Sequence, residues 1–180
     1  MSLHQQPLQI GRAVMKQLII TVIGKDKTGL VEQLSDTVYN NHANWLKSSL
    51  TQLSGQFAGI VQVEVSPQHI QQLSSALSQI SGLQIHIVEA QIKASSQQQM
   101  QKLTVTGNDR LGIVKDVTTH LHQLGINIYK LKTKTESAPN WGYPIFTAQF
   151  QLDLPTDLTI DTVQEQLELL ADDLTIDVEQ

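Results

Sequence analysis

The chain has 180 residues, with 12 basic and 17 acidic side chains and a formal net charge of −5. This negative net charge argues against a protein that binds nucleic acid directly, because neutralising the phosphates requires a basic surface. Hydrophobic residues make up 40% and aromatic residues only 4% of the chain, so we expect a core of Leu, Ile, Val and Ala rather than disorder.

Cysteine is absent, which excludes disulfides, thiolate metal sites and a cysteine nucleophile. Residues 1–14 lack the continuous apolar segment of a signal peptide, and no stretch approaches the roughly 20 apolar residues of a membrane span. We therefore expect residues 1–14 to be a disordered leader or a cloning remnant, and the protein to be cytoplasmic.

The sequence repeats itself at an offset of 83 residues, as "VIGKDKTGLV" (22–31) and "VTGNDRLGIV" (105–114). The match is gapless, and apolar positions continue to correspond on both sides of it. Such self-similarity indicates one folding unit used twice. The paired positions in the phrase include Gly24 with Gly107, Asp26 with Asp109, and Gly29 with Gly112.

In the first copy, the β-branched run 17–23 predicts a buried strand. After the glycine-containing loop, the spacing of Leu30, Leu34 and Val38 predicts a helix, which Asn40 and Asn41 are expected to close. Runs 44–53 and 56–65 flank Ser54-Gly55 and predict a hairpin.

The first copy then continues with a second helix and a fourth strand. Ser66 is expected to cap that helix and Pro67 to open it, and Gly82 is expected to end it. The alternating run 83–90 predicts a strand. His69 begins this helix without an evident partner.

The second copy follows the same order. Strands are predicted near 101–106, 126–136, 143–153 and 174–179, and helices near 112–124 and 160–172, with Gly125 closing the first helix. We therefore predict an α+β protein of two ferredoxin-like βαββαβ domains, each a four-stranded antiparallel sheet with two helices on one face. The expected boundaries are residues 15–92 and 100–180, with the polar stretch 93–99 as linker.

Each repeated loop ends at the N-terminus of a predicted helix, where free amides and the helix dipole favour a carboxylate. Asp26 and Asp109 can accept hydrogen bonds from an ammonium group, and we expect Asn44 and Asn127 to lie beside the loops. Such a site suits a small zwitterion. The alternative is that Gly, Asp and Thr serve here only as turn and capping residues.

The segments "DKTGLVEQLSDTVYNNHANW" and "DRLGIVKDVTTHLHQLGINI" resemble the ACT domain, a small-molecule regulatory module of amino-acid metabolism. The usual pattern of that family is Asp-Arg-Pro-Gly-Leu-Leu, a helix, and then Gly-x-Asn-Ile. Both copies depart from it at the proline (Thr28 and Leu111), and the first copy has His42 in place of the glycine. The resemblance implies two sets of ligand-binding residues. They are Asp109, Arg110, Gly112, Ile113 and Asn127 first, and then Asp26, Lys27, Gly29, Leu30 and Asn44.

A tandem of ACT domains without an attached enzyme is similar to the glycine cleavage system transcriptional repressor group. That resemblance implies a repressor that responds to glycine and acts through a LysR-type transcriptional activator, without direct contact with nucleic acid or membrane. A homodimer is compatible with it. The alternative is a free regulatory subunit that controls an amino-acid biosynthetic enzyme.

No cofactor, metal site or catalytic group is expected. His120 and His122 are two apart on a predicted helix and point in different directions, so we interpret them as surface residues. Trp45 is expected in the core. Trp141, in the loop 136–144, is expected to anchor a partner or the sister domain, unless the loop packs on its own domain.

Overall fold

The computed structural model describes residues 14–91, 99–137 and 142–179. The chain divides into two compact units, Met1–Lys93 and Ala94–Gln180. Trp141, nearly all of the expected leader and most of the expected linker lie outside the described residues, so those three expectations stay predictions. Within the described residues, no helix combines the length and the apolar character that crossing a membrane requires.

The first unit contains four strands and two α-helices, and all of its strand pairs are antiparallel. The sheet order is β2-β3-β1-β4. A short 3₁₀ turn, Pro67–His69, precedes the second helix. The elements in chain order are β1 (Lys16–Lys25), α1 (Leu30–Asn40), β2 (Ala43–Leu53), β3 (Gln56–Val65), α2 (Ile70–Ser78) and β4 (Leu83–Glu89).

The second unit repeats this architecture with the order β6-β7-β5-β8, again antiparallel throughout. The prediction of two ferredoxin-like βαββαβ domains is therefore confirmed. Its elements are β5 (Gln99–Asn108), α3 (Ile113–Gln123), β6 (Asn127–Ser137), β7 (Pro144–Leu154), α4 (Ile160–Glu168) and β8 (Thr175–Glu179).

In each unit, one face of the sheet packs against both helices and forms the core. Strand residues alternate between buried and more exposed, as the period of two requires, and the buried set meets the apolar stripes of the helices. The two cores are separate clusters. They include Leu18, Ile20, Val63, Leu34 and Leu73 in the first unit, and Leu103, Val105, Phe150, Leu121 and Leu167 in the second.

The ends of three elements differ from the prediction. The left-handed residue that closes α1 is His42 (φ 57°), which aligns with Gly125 (φ 72°). The expected closing residue Asn41 is instead buried, and its side-chain amide donates to the carbonyl of Thr37 at 2.7 Å. Helix α2 ends at Ser78, four residues before the left-handed Gly82, and α4 ends at Glu168 rather than 172.

The start of α2 also differs. The side chain of Ser66 caps no helix amide, because its Oγ lies 3.0 Å from Nδ1 of His69. His69, expected to have no partner, also stacks on His42, with ring centroids 4.7 Å apart. Ser54 and Gly55 both have positive φ (49° and 78°), which confirms the predicted tight hairpin turn.

Candidate functional site

Two loops carry most of the predicted ligand-binding residues. The first loop (residues 26–29) connects β1 to α1, and the second loop (residues 109–112) connects β5 to α3. Each ends at a left-handed glycine in the N-cap position, Gly29 (φ 87°) or Gly112 (φ 88°), and no side chain caps either helix. A residue with a Cβ is strained at such a φ, so the backbone favours glycine here. The amides of each first turn are thus left without a capping oxygen from that position.

Each loop is held to its own hairpin through the backbone of its aspartate. The amide of Asp26 donates to the carbonyl of Gly55, and that of Asp109 donates to the carbonyl of Pro144, both at 2.9 Å. Among the described residues, neither aspartate carboxylate has a hydrogen-bond partner, so the idea that they cap their own helices is wrong. Both carboxylates are free to accept a hydrogen bond from a ligand.

The second loop borders an open concavity of about 790 Å³. Arg110 lies across the start of α3, where its Nη1 donates to Oδ2 of Asp116 at 2.6 Å. Lys115, in the first turn of the helix, also lines the concavity, as does the fully exposed side chain of Leu111. Apart from the amide of Ile113, which donates to the carbonyl of Arg110, the first-turn amides of this helix lie beside two cationic side chains and one carboxylate, that of Asp116, which is paired with Arg110.

The first loop has a different electrostatic character. Lys27, which aligns with Arg110, donates from Nζ to the carbonyl of Ser81 at 3.3 Å. A carboxylate oxygen of Glu32 lies 3.8 Å from the point that a Cβ on Gly29 would occupy. Glu32 is the third residue of α1, where a carboxylate stabilises the positive end of the helix. The first loop thus has a negative group of its own near the place where a ligand carboxylate would lie.

The structure does not bring Asn44 or Asn127 beside its loop. Asn127 pairs with Asp153, which pairs with Met100 near the start of β5, whereas the second loop follows Asn108 at the end of that strand. These two ends lie roughly 26 Å apart at about 3.3 Å per residue. The same register places Asn44 far from the first loop. No single small ligand within one unit can touch both the loop and the asparagine.

Two other predicted residues face the core. Leu30 and Ile113 are buried, so their side chains are unavailable to a ligand. The amide of Ile113 donates to the carbonyl of Arg110 at 3.3 Å. Sequence reasoning missed Lys115 and Thr118, which line the concavity one helical turn apart. The sequence offered one indication of this, because Gly112, Lys115 and Thr118 are three residues apart and therefore lie on one side of the helix.

The histidines do not form a metal site. Within residues 14–91, 99–137 and 142–179, no three His, Asp or Glu side chains are grouped so that they could hold a metal ion. His122 is exposed as expected, whereas Nε2 of His120 is buried without a hydrogen-bond partner.

Comparison with known proteins identifies the fold family. The model of the ACT domain matches residues 16–88. A UPF0237 protein of Methanocaldococcus jannaschii is 38% identical over 52 residues, which are 29% of this chain, and the match spans 58% of the length of that relative.

Two solved structures extend over both units. An unknown protein from Galdieria sulphuraria is 32% identical with a TM-score of 0.78, and the alignment covers 92% of this chain and 98% of that one. A structure named provisionally as a glycine cleavage system transcriptional repressor has a TM-score of 0.69 at 16% identity, covering 93% and 99%. At that identity the likeness concerns the fold alone. The first unit is therefore an ACT domain, and the chain as a whole is a tandem of ACT-like units.

Proposed function

We propose that this protein is an amino-acid-responsive regulator that acts through a protein partner, with the second loop as its main ligand site. The observation that carries the proposal is the open end of α3, where Gly112, Arg110 and Lys115 meet at one concavity. The first loop is a secondary site in this proposal, because Glu32 already provides a carboxylate at its helix end.

The second loop can recognise both charges of a free amino acid. Uncapped amides at the start of α3 favour the carboxylate, and Arg110 and Lys115 add positive charge. The free carboxylate of Asp109 can accept hydrogen bonds from the ammonium group. Arg110 must then leave Asp116 or share it, so ligand binding would rearrange the first turn of α3.

A regulatory role follows from what such binding can do. A ligand shifts a partner equilibrium only when its affinities for the free and partner-bound forms differ. In the proposal, the ligand is glycine and the partner is a LysR-type activator, which the protein represses at the glycine cleavage system. The tandem ACT architecture and the fold shared with the protein of that provisional name support this assignment. The net charge of −5 favours a protein partner over DNA.

The ligand half of the proposal is tested by calorimetric titration with glycine, serine and alanine. Wild type is expected to bind at least one of them, and Arg110→Gln combined with Lys115→Gln is expected to weaken that binding at least tenfold, or about 1.4 kcal/mol. Lys130→Gln combined with Lys132→Gln removes the same charge from the same unit and is the matched control. Absence of binding in a folded sample, or equal losses in both variants, would contradict the proposed site.

The partner half is tested by co-purification from cells that express the tagged chain. Recovery of a LysR-type activator, with glycine changing the amount recovered, is the expected result. Recovery of an amino-acid biosynthetic enzyme instead would favour the alternative of a free regulatory subunit.

A further inference from the structure

In the part of the chain that the structure describes, the two sheets have four edge strands, β2, β4, β6 and β8. An edge exposes unpaired N–H and C=O groups, and proteins protect it with lysines, bulges, short strands or a covering element. Strand β2 has a bulge next to Lys47. Strand β6 has a bulge next to Lys130, which is followed by Lys132 and Lys134. These two edges are therefore protected against pairing with another strand.

Strand β8 is protected in another way. It has only five residues, and two of them are the charged Asp177 and Glu179. In addition, Nε2 of Gln164 on α4 donates a hydrogen bond to the carbonyl of Ile176 at 3.0 Å. A helix side chain thus occupies one of the backbone groups at this edge.

Strand β4, Leu83–Glu89, has none of these protections. Its register with β1 is unbroken, it contains no proline, and the only Asp, Glu, Lys or Arg among its seven residues is Glu89 at its end. Within residues 14–91, 99–137 and 142–179, no strand pairs with its other side. This edge of the first unit is therefore open to an added strand.

The backbone groups of Ile85 and Ile87 point away from β1. The amide of Ala90 donates to the carbonyl of Gln17 at 2.7 Å, one position beyond the last register pair of β1 with β4. Hydrogen-bonded and non-hydrogen-bonded residues alternate along an antiparallel pair, so the even-numbered residues of β4 bond to β1 and the odd-numbered ones face outward. The N–H and C=O groups of Ile85 and Ile87 are thus available to a strand that lies beside β4.

A groove beside this edge has an apolar floor. It measures about 390 Å³ and lies between β4 and α2. Its lining includes Ile70, Ser74 and Ser78 of the helix, and Ile85 and Ile87 of the strand. Side chains of a strand alternate between its two faces, so every second side chain of an added strand would enter this groove.

The helix side chains decide whether the edge is covered. Ser74 and Ser78 of α2 correspond to Gln164 and Glu168 of α4, because each follows a buried residue of the equivalent apolar stripe. Gln164 reaches the carbonyl at the edge of its sheet, whereas Oγ of Ser78 donates to the carbonyl of Ser74 in its own helix at 2.8 Å. The short side chains of the first unit therefore leave the edge of β4 uncovered.

We infer that the edge of β4 binds an extended segment of the protein partner, which joins the sheet of the first unit as a fifth strand. The inference deepens the proposed function and rests on it for the existence of that partner. Backbone hydrogen bonds to Ile85 and Ile87 supply affinity, and the groove selects the side chains. Small apolar side chains at alternate positions fit this groove, because the two serines leave space and the isoleucines offer no partner to a charged group.

Charge specifies one end of the segment. Glu89 lies at the end of the groove, and its side chain is 56% exposed. Its ion pair with Lys16 is also exposed, so the pair is weak and leaves the carboxylate open to a second cation. The net charge of −5 acts in the same direction. The partner segment is therefore expected to carry Lys or Arg opposite Glu89.

The test is a nuclear magnetic resonance titration of the full chain with the peptide Lys-Thr-Val-Thr-Val-Thr, acetylated and amidated at its ends. When it lies antiparallel to β4, this peptide places its lysine opposite Glu89 and its valines opposite Ile87 and Ile85. Saturable shifts are expected at the amides of Ile85 and Ile87. The control peptide is N-methylated at both valines, which keeps the side chains and removes the N–H groups that face β4. We expect it to bind about tenfold more weakly or worse.

A pair of variants tests the groove. Ser74→Gln combined with Ser78→Glu gives α2 the side chains of α4, and is expected to weaken peptide binding about tenfold or more. Ser75→Gln is the matched control, because Ser75 is exposed on the same helix and does not line the groove. It is expected to bind the peptide as wild type does. Circular dichroism verifies that each variant is folded, and Ser74→Gln alone replaces the double variant if that one is not.

The inference is overturned if no saturable shift appears up to about 1 mM peptide, or if the N-methylated peptide or the groove variant binds as well as its control. It is also overturned if the amides of Ile85 and Ile87 already resist hydrogen exchange in the free chain, because the edge is then paired with a second copy or with another segment of the chain. Recovery of the activator in co-purification without any peptide binding would leave the proposed function standing and remove this inference alone.

Discussion

The two units share one backbone plan but treat the same helix end in opposite ways. At the third position of the helix, the first unit has Glu32 and the second has Lys115. The carboxylate of Glu32 reaches back toward Gly29, whereas nothing lies within 4 Å of the corresponding point on Gly112. A duplicated fold can therefore keep its architecture in both copies while the charges at the helix end differ, since the first-turn carboxylate of α3, that of Asp116, is paired with Arg110.

The largest expected effect concerns the glycine before each loop. A Cβ on Gly24 would overlap the backbone carbonyl of Gly82, whereas a Cβ on Gly107 would lie 2.7 Å from Cδ2 of Leu174 and 3.2 Å from the carbonyl oxygen of Asp173, so a smaller shift relieves it. We expect Gly24→Ala to lower the free energy of unfolding by about 3 kcal/mol and Gly107→Ala by about 1 kcal/mol. Urea denaturation followed by circular dichroism measures both. Equal losses of unfolding free energy would contradict this account, because they would mean that the backbone at Gly82 shifts as readily as the contacts around Gly107.

The next effect exchanges the charges at the two helix ends. Lys115→Glu gives the second unit the arrangement of the first, and we expect it to weaken amino-acid binding about tenfold or more. Glu32→Lys gives the first unit the arrangement of the second, and is expected to add or strengthen a binding event in the same titration. If neither variant changes the affinity, the difference between the loops has no part in recognition.

The smallest effect compares the starts of the second helices. Oγ1 of Thr159 accepts a hydrogen bond from the amide of Thr162 at 3.3 Å, whereas Ser66 contacts His69 instead of the helix. We expect Thr159→Ala to lower the free energy of unfolding by about 1 kcal/mol. Ser66→Ala should lower it by less, about 0.5 kcal/mol, since the partly buried hydrogen bond to His69 satisfies no helix amide and its loss leaves none uncapped. The same denaturation experiment ranks the two variants, and a larger loss for Ser66→Ala would contradict this account.

The order of elements was predictable because local patterns decide it. Apolar periodicity located every strand and helix, and Ser54-Gly55 located the hairpin turn, since each depends on residues close in sequence. The hydrogen-bond partners of individual side chains were harder to predict. Ser66 had two partners to choose from, a helix amide or the ring of His69, and the spacing of residues does not rank them.

The predicted site was only partly assembled by the fold. Asp109, Arg110 and Gly112 share one concavity because they are neighbours in the chain. The prediction that Asn127 lies beside the second loop was wrong because the order of residues in a motif does not show in which direction the intervening helix runs. A helix that returns antiparallel to its strand carries the next residues to the opposite end of the sheet. The difference between Glu32 and Lys115 was visible in the sequence. Only the structure shows that the carboxylate of Glu32 lies near Gly29, at the start of the helix.

In each unit, the strand-to-helix loop and the asparagine (Asn44 or Asn127) lie at opposite ends of the sheet, and the first helix of the unit runs from one end to the other. Helix α3 begins at the second loop, is roughly 16 Å long at 1.5 Å per residue, and delivers the chain to Asn127 at the other end. A displacement of the first turn of this helix would shift its last turn as well if the helix moves as a rigid body. In the proposed function, this would let a ligand at the second loop influence a surface at the opposite end of the unit that it does not contact.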